Sequence, residues 1–108
     1  MPSSSPRVVL ITHPVEGASD FARSLVDAGL AACVNLLPVR SVFRWQGEIE
    51  EEAEVMLVAK TTEPRLAELE ARLADLHPYD VPECIALAPD RVETQYLEWL
   101  GAETRRAK

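Results

Sequence analysis

The chain has 108 residues, and its 11 basic and 18 acidic side chains give a formal net charge of −7 at pH 7. This length predicts a single domain, and a hydrophobic content of 47% is typical of a folded chain rather than a disordered one. The negative charge argues against nucleic acid and anionic membranes as partners, because both would repel it.

The first third of the chain predicts one strand and one helix. Residues 1–6 are polar and bounded by proline, so we expect a disordered tail there. Arg7–Thr12 is rich in β-branched residues and predicts a buried strand. A helix is expected to follow from Ser19 or Asp20, either of which can cap it, and Gly29 is suited to end it in a left-handed conformation.

The middle of the chain predicts a long hairpin. Ala31–Trp45 is strand-like throughout, with Pro38 marking a bulge or a stretch of free edge, and Gln46-Gly47 is a turn that returns the chain as Glu48–Thr61. A strand of about 13 residues spans about 43 Å, whereas a compact domain of this size is only about 35 Å across. We therefore expect the hairpin to overhang its own domain and to hold a homo-oligomer together, because unpaired strand edges are usually covered by another chain.

The last part of the chain predicts two helices with a short strand between them. Leucines at three- and four-residue spacing make residues 63–76 an amphipathic helix, which His77-Pro78 ends. A rigid segment, Tyr79–Glu83, then leads to a strand at Cys84–Ala88. Apolar residues at helical spacing over residues 92–100 predict a final helix.

The resulting order, β-α-β-β-α-β followed by a helix, is that of the ferredoxin-like split βαβ sandwich, an α+β fold whose antiparallel sheet carries two helices on one face. We expect residues 7–108 to form this single domain. The longest apolar runs, Leu30–Val34 and Val55–Ala59, are five residues long, whereas a membrane helix needs about 20. Because the N-terminus also lacks the pattern of a signal peptide, we expect a cytoplasmic protein with no membrane partner.

An acidic run, Glu48–Glu54, lies on the predicted hairpin and holds five of the 18 acidic residues. Carboxylates on one strand face could bind a hard divalent cation, which prefers oxygen ligands. Alternatively, the run is a solvated hairpin tip whose charge resists aggregation between sheet edges. We favour the second interpretation, because Ca²⁺ and Mg²⁺ sites usually need carboxylates that converge.

The two cysteines, Cys33 and Cys84, are far apart in the sequence and form no Cys-x-x-Cys pattern, which excludes a structural zinc site of the usual kind and favours free thiols. Cys33 is either a buried, inert thiol or, beside a cation such as Lys60, a soft-metal ligand or activated thiolate. Lys60 could equally be a strand-end lysine whose stem covers apolar surface. Cys84 is expected in the core.

The two histidines, His13 and His77, each precede a proline, so each is expected at the end of a helix or strand. Imidazole is a common transition-metal ligand, but a lone histidine makes a weak site unless symmetry brings copies together. The alternative is a histidine that only terminates its element. Pro78 and Pro82 pre-order the residues between them, which suits either a ligand pocket or a subunit contact.

Five segments of the chain form a recognisable set. They are Leu30–Asn35, Ser41–Ile49, Val58–Thr62, His77–Glu83 and Tyr96–Leu100. In this order and spacing they resemble the divalent-cation tolerance proteins (CutA), over about residues 7–100. The resemblance implies a ferredoxin-like subunit in a tight homotrimer, with the hairpins packed against neighbouring subunits, and a link in bacteria to tolerance of copper and other divalent ions.

The resemblance also implies a pocket between subunits. This chain keeps its five residues, Cys33, Trp45, Lys60, Tyr79 and Glu83. Of three copper ligands associated with the family, only His77 is present, because Ile11 and Leu76 occupy the other two positions.

We therefore expect a non-catalytic homotrimer implicated in divalent-cation tolerance, with no obligatory cofactor. Binding of copper or a similar cation should be weak, through His77 with Cys33 as a second candidate, because soft ligands are few. The alternative is a signalling or small-molecule sensor trimer similar to the PII-type proteins, which would use the pocket between subunits. An enzyme built on Cys33 and Lys60 is least favoured, since no histidine base or orienting triad is evident.

Overall fold

The computed structural model describes residues 5–105, which form one antiparallel sheet and three α-helices. In chain order the elements are β1 (Pro6–Pro14), α1 (Ala18–Asp27), β2 (Cys33–Trp45), β3 (Glu48–Thr62), a 3₁₀ turn (Glu63–Arg65), α2 (Leu66–Leu76), β4 (Ile85–Leu87) and α3 (Thr94–Glu103). Within the described residues, no helix is long and apolar enough to cross a membrane.

The strands lie in the order β2-β3-β1-β4, and every neighbouring pair is antiparallel. Because β1 lies between β3 and β4, the chain crosses the sheet through α1 and again through α2, as a split βαβ unit requires. The predicted ferredoxin-like α+β sandwich is confirmed.

The core lies on one face of the sheet because alternate residues of β1 and β3 point to that side. Val9 is paired with Ala59 and Ile11 with Leu57, and all four side chains are fully buried. Both crossover helices supply the covering layer. Their buried residues in this core are Phe21 and Leu25 from α1, and Leu69 and Leu73 from α2.

Several predicted boundaries differ from the structure. Helix α1 begins at Ala18 after Gly17, so Ser19 and Asp20 lie inside it and neither caps it. Strand β4 has three residues rather than the five expected. Gly29 adopts the expected left-handed conformation, with φ 72°.

Two further boundary expectations concern Pro38 and the tail. Pro38 is paired in continuous register with Val55 on the edge strand β2, which makes it a free-edge residue and not a bulge. Pro6 already belongs to β1, and the Ser5 carbonyl accepts a hydrogen bond from the Glu63 amide, whereas residues 1–4 of the expected tail lie outside the described residues.

The hairpin overhangs the domain as its length predicts. Pairing between β1 and β3 ends at Pro14 and Glu54, so residues 40–53 form a two-stranded ribbon, which we call the distal ribbon. Gln46 and Gly47 close it with φ values of 52° and 85°, the pattern of a tight type I′ turn. The molecule consequently measures 48 × 29 × 20 Å.

The sheet face opposite the core helices remains apolar and partly open. Leu37, Ile85 and Leu87 are 46%, 49% and 48% exposed. By register, Leu87 is paired with Val8 and Ile85 with Leu10, so these side chains belong to one continuous surface, which we call the open sheet face.

Candidate functional site

A groove of about 860 Å³ lies where the distal ribbon meets the segment Pro78–Glu83. The ribbon contributes mainly the face that carries Ser41, Phe43 and Trp45, which alternate along β2 and are paired with glutamates of β3, and Val42 also lines the groove. The groove therefore lies on the same side of the sheet as the open sheet face.

The wall formed by residues 78–83 is held in place by His77 and Tyr79. Helix α2 ends at Leu76, because the following residue is extended and precedes proline. The Tyr79 amide donates to His77 Nδ1 at 3.1 Å, and His77 Nε2 lies 2.8 Å from the Thr12 carbonyl. Since that carbonyl can only accept, Nε2 carries the imidazole proton and both ring nitrogens are occupied within the chain.

Tyr79 crosses from this wall to the sheet. Its hydroxyl donates to Glu54 Oε2 at 2.6 Å, a short, charge-assisted hydrogen bond. Burial of the ring, together with Glu54 and then Glu52, raises the pKa of Tyr79 above its usual 10.0. The phenol consequently remains a donor, and the contact fastens the 78–83 wall to β3.

The two histidines form part of an aromatic cluster beneath the groove. The rings of His13 and His77 are in edge contact at 4.8 Å, and both rings also pack against Phe21. Burial, with a smaller contribution from His13, lowers the pKa of His77 below 6.5. His13 Nδ1 donates to the Pro14 carbonyl at 2.8 Å. Within residues 5–105 no group of three or more His, Cys, Asp or Glu side chains is arranged to hold a metal ion.

Cys33 and Lys60 form a separate polar cluster at the other end of β2. They are directly paired across β2 and β3, and Lys60 Nζ lies 3.9 Å from Cys33 Sγ while also donating to the Asn35 side chain. Both cysteines are free thiols. Burial raises the pKa of Cys84, which packs against the core as expected.

The five residues of the predicted pocket thus fall into two groups. Trp45, Tyr79 and Glu83 line the groove, whereas Cys33 and Lys60 lie at the opposite end of the long hairpin. The 13 residues of β2 separate Cys33 from Trp45 by about 40 Å. One chain cannot bring the two groups together.

The groove also contains residues outside the predicted five-residue pocket, among them three glutamates of the acidic run Glu48–Glu54. Glu50, Glu52 and Glu54 line it beside Phe43 and Thr12. Their common face was readable from the two-residue period of the strand, which sends Glu51 to the other side. Tyr79 reaches the groove from the opposite wall, residues 78–83, and the position of that wall depends on a turn that strand periodicity does not describe.

Comparison with known proteins gives consistent results. The family model described as CutA1 divalent ion tolerance protein matches residues 7–103. The chain is 46% identical over 99 residues to a divalent-cation tolerance protein CutA of Thermus thermophilus, with 90% of this chain and 96% of that protein covered.

Solved structures share the whole fold. The PII-like protein CutA from Nostoc sp. PCC 7120 in apo form has a TM-score of 0.89 at 35% identity, covering 94% of this chain and 99% of that chain. A periplasmic divalent cation tolerance protein CutA from Archaeoglobus fulgidus also has a TM-score of 0.89, at 32% identity, covering 93% of this chain and 99% of that chain.

Proposed function

Because the chain belongs to the CutA1 divalent ion tolerance protein family, we propose that it acts as a homotrimer in the tolerance of copper and other divalent cations. The observation that carries the proposal is the open sheet face, where Leu37, Ile85 and Leu87 remain nearly half exposed. A contiguous apolar surface of this kind is typical of a protein interface.

The distal ribbon supports the same assembly. Residues 40–53 are paired only with each other, and Val42 and Ile49 are both 66% exposed. An isolated two-stranded hairpin is at best marginally stable in water. Packing of this ribbon on a neighbouring subunit would bury its apolar residues and cover its edges.

Assembly would also complete the pocket. Cys33 and Lys60 are about 40 Å from Trp45 along one strand, so the pocket needs these two residues from one subunit and Trp45, Tyr79 and Glu83 from its neighbour. Such contacts join two different surfaces of the same chain. Repeated contacts of this kind form a closed ring of subunits when the rotation from each subunit to the next adds up to a full turn. With three subunits the ring is a homotrimer.

In the proposed role metal binding is weak, and Cys33 is a better candidate ligand than His77. The Cys33 thiol is partly exposed and can offer a soft ligand, whereas both nitrogens of His77 are already hydrogen-bonded within the chain. Copper binding at His77 would require the loss of its contact with Thr12 or Tyr79.

The proposed role is non-catalytic and cytoplasmic. Lys60 is the cation beside Cys33, while the register of β1 on β3 places His13 five residues further along β3, so the thiol has no adjacent imidazole to act as a base. The two free thiols suit a reducing compartment.

The test combines assembly with a metal phenotype. In sedimentation equilibrium at micromolar concentration, the wild type should be a trimer, and Leu37→Lys should shift it to monomer because the change places a charge on the open sheet face. Val26→Lys is the matched control, because Val26 is 43% exposed on α1, away from the sheet. Deletion of the gene should lower growth in copper, and Val26→Lys, but not Leu37→Lys, should restore it.

Each part of the proposal can fail separately. A monomeric wild type would overturn the assembly. Unchanged copper sensitivity after deletion would overturn the role in tolerance while leaving the assembly intact.

A second candidate is a PII-like sensor of a small molecule. The specific observation in its favour is the groove of about 860 Å³, which lies within the range of small-molecule sites and combines aromatic with polar side chains. In this candidate the trimer is unchanged and the groove is the ligand site.

A further inference from the structure

We draw no further inference here: the strongest candidate, the side-chain cluster of Cys33, Asn35 and Lys60 across β2 and β3 on the open sheet face, lies where the proposed trimer covers the sheet and belongs to the pocket between subunits already described.

Discussion

The two halves of β3 belong to one continuous strand but lie in different environments. From Val55 to Thr62 the strand has β1 on one side and β2 on the other, and Leu57 and Ala59 are fully buried under the helices. From Glu48 to Ala53 it pairs only with β2, and Ile49 is 66% exposed. The inner half is therefore stabilised by its own chain, whereas the outer half depends on what it meets outside that chain.

Residue chemistry follows this division. The inner half begins with the apolar run Val55–Ala59, and the outer half carries the glutamates. Glu54 marks the boundary, since it is the last β3 residue paired with β1 in the outward direction and is fastened to Tyr79. The difference indicates that the inner half of β3 serves mainly to stabilise the fold, whereas the outer half is available for contacts with other molecules.

The largest expected effect is a difference in stability between two variants, each of which truncates one side chain in one half of β3. Leu57→Ala should lower the free energy of unfolding by about 3 kcal/mol, because the buried methyl groups are lost and a cavity remains. Ile49→Ala should change it by less than about 0.5 kcal/mol in monomer, since exposed side chains contribute little. Urea unfolding at fixed subunit concentration measures both values.

The same pair of variants reports on assembly. If the distal ribbon packs on a neighbour, Ile49→Ala will become destabilising as the subunit concentration rises, because unfolding is then coupled to dissociation. Equal losses for Leu57→Ala and Ile49→Ala at low concentration would contradict the division of β3 into two environments.

The inner half was the easier part to predict from the sequence. Val8–Ile11 and Val55–Ala59 are apolar runs, and the leucines of residues 63–76 recur at helical spacing, so the sheet and α2 followed from local pattern. The start of α1 was missed because Gly17, with φ 86°, ends the preceding turn by backbone conformation and not by a capping side chain. Short-range propensity does not encode that choice.

The groove was harder to predict, for a different physical reason. The spacing of Glu50, Glu52 and Glu54 already places them on one face, but it does not reveal that Tyr79 and Glu83 lie opposite. Tyr79 is held there by one hydrogen bond to Glu54, a residue 25 positions away in the sequence. Long-range contacts of this kind depend on the whole fold.

A smaller effect is expected at the boundary between the two halves. Tyr79→Phe should lower the free energy of unfolding by about 1–3 kcal/mol, because it removes the hydrogen-bond donor of the nearly buried Glu54 carboxylate. Tyr96→Phe is the matched control, as Tyr96 is 40% exposed and its hydroxyl makes no hydrogen bond within the described residues. Urea unfolding of both variants gives the comparison, and equal losses would contradict a specific role for the Tyr79 contact.

The smallest expected effect is a change in how the free energy of unfolding depends on pH, caused by His77. This residue contacts Thr12, which is paired with Met56 in the inner half of β3. Burial lowers the pKa of the folded-state imidazole below its ordinary 6.5, so between these two values the unfolded chain binds a proton that the folded chain does not. The contribution of His77 to stability is therefore fully present above pH 6.5 and is lost as the pH falls toward the folded-state pKa.

The slope that one such proton can add is at most about 1.4 kcal/mol per pH unit. His77→Gln removes the titrating group, so its free energy of unfolding should decline less steeply than that of the wild type between pH 7 and pH 5.5, while the two curves run parallel above pH 7. Urea unfolding across this range measures both slopes. Parallel curves below pH 6.5 as well would show that the buried imidazole of His77 does not couple protonation to folding.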